Sequence, residues 1–341
     1  MRAALLAFLL AVAGSTGALC ADEFEAQAAL FRYDPAVDLK VEEAGVEKQG
    51  TVSVHDIRFT PVPGAEPVKA YIVVPEGKGP FAGVLWVHWL GEPATTNRTQ
   101  FLKEAVDLAP KGIVSLLVEG MWSAPDWYGK RVPEQDYDNS IRQVIALRRA
   151  MDLLLSRADV DKARVGYVGH DYGGMYGMMA NGVDRRARTY VYIAVVPSLN
   201  DWAFFARQPV SKAAYLRQNA PLELTDYLRQ VKNASTLFQF ASKDVYVSRA
   251  DTQVVMGAAS TPKERRFYEA DRQRLVARLR RLRPEEWSRT AEHGEYSHYS
   301  VLIMFRHLAL HDFFHAYRIE ELLLAREWTD EWRAASGEAR S

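Results

Sequence analysis

Short apolar runs alternate with longer amphipathic runs along most of the chain. The short runs are rich in β-branched and aromatic residues and are bounded by Gly, Pro and polar residues, which is typical of β-strands. Eight segments fit this description: Thr51–Thr60, Val68–Val74, Phe81–His88, Gly112–Val118, Arg164–Val168, Thr189–Val196, Thr236–Ala241 and Arg265–Tyr268. Pro61, Pro63 and Gly64 separate the first two, which predicts an antiparallel pair at the start of a sheet.

The longer runs carry apolar residues at helical spacing and predict helices between the strands. They are Asn97–Ala109, Asp138–Arg157, Tyr172–Asn181, Leu222–Val231, Arg249–Gly257 and Asp271–Arg283. This alternation indicates an α/β fold, with a mostly parallel central sheet flanked by helices. The aromatic-rich segment Asn200–Ala220 is predicted to form a small lid, and the pattern over residues 284–341 predicts a C-terminal helical extension.

The N-terminus has the pattern of a secretory signal. Arg2 precedes the apolar run Ala3–Ala13, and small residues then lead to Ala21. The apolar run is too short for a membrane span of about 20 residues. We therefore expect residues 1–21 to be a signal peptide, residues 22–283 to form the main domain, and the protein to be exported, periplasmic or secreted. The single cysteine, Cys20, lies in the signal, so the mature chain would have no disulfide, which favours a bacterial periplasm.

The amino-acid composition and net charge limit the classes of molecule that we expect this protein to bind. The chain has 341 residues, 48% of them hydrophobic, and its 43 basic and 43 acidic residues give a formal net charge of +0. Such a chain buries a substantial core and has no overall field to attract nucleic acid. The basic run at positions 272–283 is interleaved with leucines, which is typical of the solvated face of an amphipathic helix. We expect a small-molecule ligand or substrate, no nucleic acid and no membrane span; the oligomeric state is left open.

The segment Gly169-His170-Asp171-Tyr172-Gly173 follows the predicted strand Arg164–Val168 and precedes a predicted helix. Glycines two residues before and two residues after the central residue permit a strained turn from strand to helix. Such a turn exposes the central side chain at the carboxyl end of the sheet, beside the free N–H groups of a helix start. The spacing therefore marks Asp171 as a candidate nucleophile.

Over about Val68–Leu282 the sequence resembles the α/β-hydrolase superfamily, and within it the dienelactone hydrolase-like proteins. Besides the turn at Asp171, three segments support the resemblance: the strand and oxyanion loop Val84–Gly91, the strand and acid loop Phe238–Val247, and the last strand and loop Phe267–Arg272. The resemblance implies that Asp171 is the nucleophile, that Asp244 is the orienting acid, and that Arg272 stands where the family has its histidine. It also implies an oxyanion hole built from the N–H groups of Tyr172 and of Trp89 or Leu90.

Two of these positions differ from the ester-hydrolase pattern. An Asp nucleophile is similar to those of epoxide hydrolases and haloalkane dehalogenases, whose carboxylate attacks an sp3 carbon and forms an alkyl ester; attack on a carboxylic ester would give a mixed anhydride. Hydrolysis of the alkyl ester requires a base, and Arg272 cannot act as one because arginine stays protonated. Two interpretations remain open: a hydrolase of an ester, lactone, epoxide or haloalkane, or a pseudoenzyme in which Arg272 bridges Asp171 and Asp244 and the fold binds a small molecule or protein partner.

Other histidines are candidate alternative bases. His88 ends the oxyanion strand, and His293 and His298 lie in a polar loop, whereas His170 is expected to point away from its neighbour Asp171. His307, His311 and His315 recur every four residues, which places adjacent pairs on one helix face. With no acidic partner in reach, we interpret them as a packing or partner-facing stripe, and we expect no metal and no cofactor. An aromatic-rich pocket is predicted from Trp86, Trp89, Trp122, Trp127, Trp202, Tyr128 and Tyr172.

Overall fold

A computed structural model of the chain describes most of its central part. The described residues are 21–91, 97–200, 208–232, 234–242, 244–260, 262–267, 280–287, 289–293 and 296–300. Residues 1–20 of the proposed signal, Arg272 and the histidine stripe at positions 307, 311 and 315 lie outside these ranges.

Nine strands form one twisted sheet within the described residues. Their bounds are β1 Glu42–Gln49, β2 Val52–Phe59, β3 Val68–Pro75, β4 Phe81–Val87, β5 Ile113–Val118, β6 Val160–His170, β7 Thr189–Ile193, β8 Ser235–Phe240 and β9 Lys263–Phe267. The spatial order is β1-β2-β3-β5-β4-β6-β7-β8-β9. The pairs β1–β2, β2–β3 and β3–β5 are antiparallel, and every pair from β5 to β9 is parallel. The prediction of a mostly parallel sheet with an antiparallel start is confirmed.

All eight predicted strands are present, with ends that differ by a few residues. The strand that the pattern did not predict is β1, in which every residue is solvent-exposed. Its sequence, Glu-Glu-Ala-Gly-Val-Glu-Lys-Gln, has no apolar alternation because neither of its faces packs on the core. It extends the sheet beyond the core by pairing with β2.

Helices cover both faces of the sheet. Their bounds are α1 Ala21–Ala29, α2 Leu102–Leu108, α3 Trp127–Lys130, α4 Asp136–Ser156, α5 Tyr172–Val183, α6 Lys212–Asn219, α7 Leu224–Leu228 and α8 Arg249–Ala258. The larger core includes buried residues of α4 and α5, such as Leu147 and Met175, and the smaller one includes Phe101 and Ala105 next to Trp86. In the predicted lid segment, Tyr215 of α6 donates its hydroxyl to buried Asp136 at 2.8 Å, so this part packs on the start of α4.

The chain divides by its internal contacts into residues 1–269 and 270–341, so the division precedes the predicted boundary after residue 283. The sheet ends with β9, and the second unit begins soon after it. The described start of the predicted C-terminal helical extension, residues 284–300, contains strands as well as a helix. A short helix, α9 Pro284–Trp287, is followed by strands β10 Thr290–His293 and β11 Tyr296–Ser300, which pair antiparallel.

Among the described residues, no helix is both long and apolar enough to cross a membrane. The same residues contain no group of three or more His, Cys, Asp or Glu side chains placed to hold a metal ion.

Candidate active site

Asp171 occupies a strained turn between the end of β6 and the start of α5. Its φ and ψ angles are +50° and −115°, a conformation that side chains with a Cβ rarely adopt. Two flanking glycines allow the turn. A Cβ at Gly169 would lie 2.4 Å from the carbonyl oxygen of Gly173, and a Cβ at Gly173 would lie 2.3 Å from that of Val87. The turn predicted from the Gly–x–Asp–x–Gly spacing is therefore present, and strain of this kind costs about 1–3 kcal/mol.

The two oxygens of the Asp171 carboxylate have different surroundings. Oδ2 accepts a hydrogen bond from the N–H of Leu90 at 3.0 Å, whereas Oδ1 is buried and has no hydrogen-bond partner among the residues that the structure describes. The residue is 6% exposed. Burial raises the pKa of Asp171 to about 7, with a smaller increase from Asp244, against the lowering effect of the N–H groups of Leu90 and Tyr172. One oxygen thus accepts a hydrogen bond, and the other is desolvated without one from the described residues.

Of the two alternative predicted oxyanion donors, Leu90 is the one whose N–H binds Asp171. The N–H of Trp89 donates instead to Oε1 of Gln100 at 2.8 Å, so it is not available to a developing oxyanion. The N–H of Leu90, like that of Tyr172, is directed at the Asp171 carboxylate itself. With an Asp in place of Ser, the two N–H groups thus interact with the side chain at the turn.

His170 lies in the site, contrary to the expectation that it would point away. It lines one cavity together with Asp171, and its ring stacks on Trp89 with a centroid distance of 5.5 Å and an interplanar angle of 12°. Gln100 fixes its tautomer: Oε1 of Gln100 accepts from Trp89, so the amide Nε2 faces Nδ1 of His170 at 2.6 Å and donates to it. The proton of the neutral ring is therefore on Nε2. Burial, partly offset by Asp244, lowers the pKa of His170 to about 4, which makes it a weak base.

This assignment predicts the effect of Gln100→Glu. A carboxylate at position 100 can accept from both Trp89 N–H and His170 Nδ1–H, which moves the neutral proton to Nδ1 and favours the charged ring. We expect the pKa of His170 to rise from about 4 toward the ordinary value for histidine. Nitrogen-15 NMR of labelled histidine reports both the tautomer and the titration. Gln218→Glu, on the exposed face of α6, is the matched control and should leave both unchanged; a tautomer that stays on Nε2 in Gln100→Glu would contradict the assignment.

His88, a candidate base, is engaged in a structural role. It is 2% exposed, and its Nε2 accepts hydrogen bonds from the N–H of Gly120 at 3.0 Å and from the hydroxyl of Ser123 at 2.9 Å. Nδ1 lies 2.8 Å from the carbonyl oxygen of Trp89 and 3.2 Å from the indole Nε1 of Trp122. Both ring nitrogens take part in hydrogen bonds that join the end of β4 to the loop after β5.

Asp244 faces the same cavity from the loop after β8. Its Oδ1 accepts from the N–H groups of Tyr246 and Val247 at 2.9 and 3.0 Å, which fixes the loop. The cavity has a volume of about 420 Å³ and opens at the carboxyl ends of β4, β6, β7 and β8, where ligands bind in open α/β sheets. Its lining comprises Trp89, Leu90, Tyr128, His170, Asp171, Ala194, Asp244, Tyr246 and Val247.

The structure thus brings together Asp171, Asp244, Leu90, Tyr172 and Trp89 from the predicted set, and adds His170 and Gln100. Sequence reasoning missed Gln100, which carries no motif and precedes α2. His293 and His298 lie on the paired strands β10 and β11 of the second unit. Arg272 lies outside the described residues, so its bridging role stays a prediction.

The parallel sheet, the strained turn after β6 and the acid loop after β8 define an α/β-hydrolase fold, as predicted. Solved structures agree. The acetyl xylan esterase of Paenibacillus sp. R4 aligns with a TM-score of 0.56 at 16% identity, covering 76% of this chain and 91% of that one. The acetyl xylan esterase 1 of Thermoanaerobacterium sp. JW/SL YS485 aligns with a TM-score of 0.56 at 14% identity, covering 72% of this chain and 86% of that one. The glucuronoyl esterase of Solibacter usitatus aligns with a TM-score of 0.52 at 16% identity, covering 70% of this chain and 78% of that one. No protein-family model and no curated protein sequence matches the chain.

Proposed function

We propose that this protein is a hydrolase of small organic molecules and that Asp171 is its nucleophile. The observation that carries the proposal is the Asp171 carboxylate: Oδ2 is held by the N–H of Leu90, and Oδ1 is buried without a partner in a residue that lines a cavity of about 420 Å³. That volume lies in the usual range for small-molecule sites, about 300–1,000 Å³.

The substrate classes differ in how well a carboxylate can attack them. Attack by Oδ1 on an sp3 carbon forms a carbon–oxygen bond and breaks the bond to a halide, which leaves, or to an epoxide oxygen, which then takes a proton. Attack on an ester or lactone would instead form a mixed anhydride, a reactive and less favourable intermediate. Among the ester, lactone, epoxide and haloalkane classes, we therefore favour epoxides and haloalkanes.

The second step, hydrolysis of the alkyl ester on Asp171, needs a base to activate water. Among the described residues that line the cavity, the ionisable groups apart from Asp171 and the tyrosines are His170 and Asp244. His170 is a weak base, since its pKa is about 4 and its Nδ1 is occupied by Gln100. Asp244 keeps one carboxylate oxygen beyond the Oδ1 that fixes its own loop, and we assign the activation of water to it.

The test is a panel of epoxides, haloalkanes, esters and lactones, incubated with the protein at pH 8 while intact mass and product are followed. We expect a mass increase equal to the whole epoxide, or to the alkyl group less one hydrogen for a haloalkane, mapped by fragmentation to the peptide that contains Asp171, and product release at a rate set by the second step. Asp171→Asn should show neither. No adduct and no product with any member of the panel, or an adduct that persists in Asp171→Asn, would overturn the proposal.

A second candidate function is binding without turnover. The weak basicity of His170 favours it, because an alkyl ester formed on Asp171 would be long-lived if Asp244 does not activate water. In the panel, a stable adduct without product would identify this case, and it would be consistent with a pseudoenzyme that retains the pocket.

We also propose that the protein is exported. The support is the charged start, apolar run and small-residue exit over residues 1–21, followed by α1, where Phe24 packs edge-on against Tyr227 with a centroid distance of 5.6 Å. Cleavage after Cys20 or Ala21 leaves this contact in the mature chain, and the intact mass of protein recovered from the periplasm reports the cleavage site.

A further inference from the structure

The described residues that line the cavity include acidic side chains and no basic lysine or arginine. Asp171 and Asp244 both face it, and the described lining contains no lysine or arginine. Arg131, whose guanidinium lies 4.9 Å from the centre of the Tyr128 ring, is paired with Asp136 at 3.2 Å and is not part of the lining. A buried carboxylate oxygen without a donor, here Oδ1 of Asp171, is costly unless a ligand supplies the missing partner.

Aromatic rings form much of the remaining wall. Trp89 and Tyr246 are 37% and 64% exposed, unusual values for large aromatic side chains, and both line the cavity with Tyr128. Aromatic faces attract cations, and quaternary ammonium groups are recognised by sets of such rings. A bulky, weakly hydrated cation suits an aromatic and largely apolar wall better than a strongly hydrated metal ion.

We propose that the cavity selects small organic cations and that a quaternary or tertiary ammonium group is part of the substrate. The charged group lies against Trp89 and Tyr246 and is balanced by Asp244, which leaves the electrophilic carbon to face Asp171. This substrate class builds on the proposed function, but the binding preference itself requires no covalent step.

The binding test compares choline with its uncharged isostere, in which a tert-butyl group replaces trimethylammonium, by isothermal titration at pH 8. We expect choline to bind at least about tenfold more tightly, a difference of about 1.4 kcal/mol. Asp244→Asn should remove most of this preference while leaving the affinity for the neutral alcohol unchanged. Asp161→Asn, at the opposite end of β6, makes the same charge change far from the cavity and should bind choline like the unaltered protein. Equal affinity for the two ligands, or a choline affinity that Asp244→Asn leaves intact, would overturn the proposal.

A second arm separates this inference from the proposed function. Glycidyltrimethylammonium and the corresponding tert-butyl epoxide are compared for the rate of adduct formation, with the charged epoxide expected to react at least tenfold faster at equal low concentration. If choline binds selectively but neither epoxide forms an adduct, the covalent function fails and the cation site stands. If both epoxides react equally and choline shows no preference, the cation site fails and the nucleophile stands.

Discussion

Replacing Asp171 by asparagine is expected to stabilise the folded protein at pH 8 by up to the order of 4 kcal/mol, even though it removes the proposed nucleophile. The asparagine side chain has the same shape, and its carbonyl oxygen can accept the hydrogen bond from Leu90 that Oδ2 accepts at 3.0 Å. What the substitution removes is a buried negative charge whose other oxygen has no partner. Urea denaturation at a series of pH values measures the difference in unfolding free energy.

The contribution of Asp171 to the free energy of unfolding is expected to fall as pH rises. The pKa of Asp171 is about 7 in the folded protein, against 3.8 for an ordinary Asp, so the folded state binds more protons than the unfolded state between about pH 4 and pH 7. Stability from this group is therefore lost as pH rises through that window, and the loss levels off above it. Unaltered protein and Asp171→Asn should be equally stable near pH 4, and the gap between them should open up to pH 7.

Asp161→Asn provides a control of opposite sign. The hydrogen bonds from Arg164 and from the N–H of Ala163 lower the pKa of Asp161, so its charged form favours the folded state. Its loss should destabilise the protein slightly at neutral pH and not at low pH. A gap for Asp171→Asn that is the same at pH 4 and pH 8 would contradict the raised pKa. The labelling rate adds a second readout, because only the ionised carboxylate attacks, so the rate should increase with pH up to about 7.

The sequence predicts those parts of the fold in which buried positions recur regularly, because apolar residues then recur with the same spacing. β4, β6 and β8 carry buried apolar residues at strand spacing, and their ends place Leu90, Asp171 and Asp244 at one edge of the sheet. β1 leaves no such trace because all its residues are exposed. The pairing of β10 with β11 is not predicted because their sequences are polar, without an apolar alternation that would mark a strand.

The sequence predicts the site where a backbone constraint determines a residue's position. It does not predict the site where hydrogen bonds to distant side chains determine a residue's role. The glycines at 169 and 173 permit only one kind of turn, so the position of Asp171 follows from the sequence. The role of His88 depends on Gly120 and Ser123, which follow a different strand, and the state of His170 depends on Gln100. These contacts join positions 32, 35 and 70 residues apart along the chain, and no local pattern reports them.

Gly173→Ala is expected to destabilise the protein by about 3–5 kcal/mol, at the severe end for a single methyl group. The added Cβ would lie 2.3 Å from the carbonyl oxygen of Val87 and 2.6 Å from that of His88. Both atoms belong to the backbone at the end of β4, which pairs with β5 and β6 in the middle of the sheet, so no flexible side chain can move aside. The separation of α5 from β4 must increase, and Asp171 would then lose its alignment with the N–H of Leu90.

Gly257→Ala is the matched control for this substitution. Gly257 lies near the end of α8, and a Cβ there would have no atom within 4 Å. Because alanine is the better helix former, this variant should be stabilised by about 0.5–1 kcal/mol. Urea denaturation of both variants gives the comparison, and adduct formation at Asp171 by Gly173→Ala, measured in conditions where the variant remains folded, should be slowed at least tenfold. A Gly173→Ala protein as stable and as reactive as Gly257→Ala would show that α5 can shift away from β4 at little cost, and that the close approach at Gly173 does not position the nucleophile.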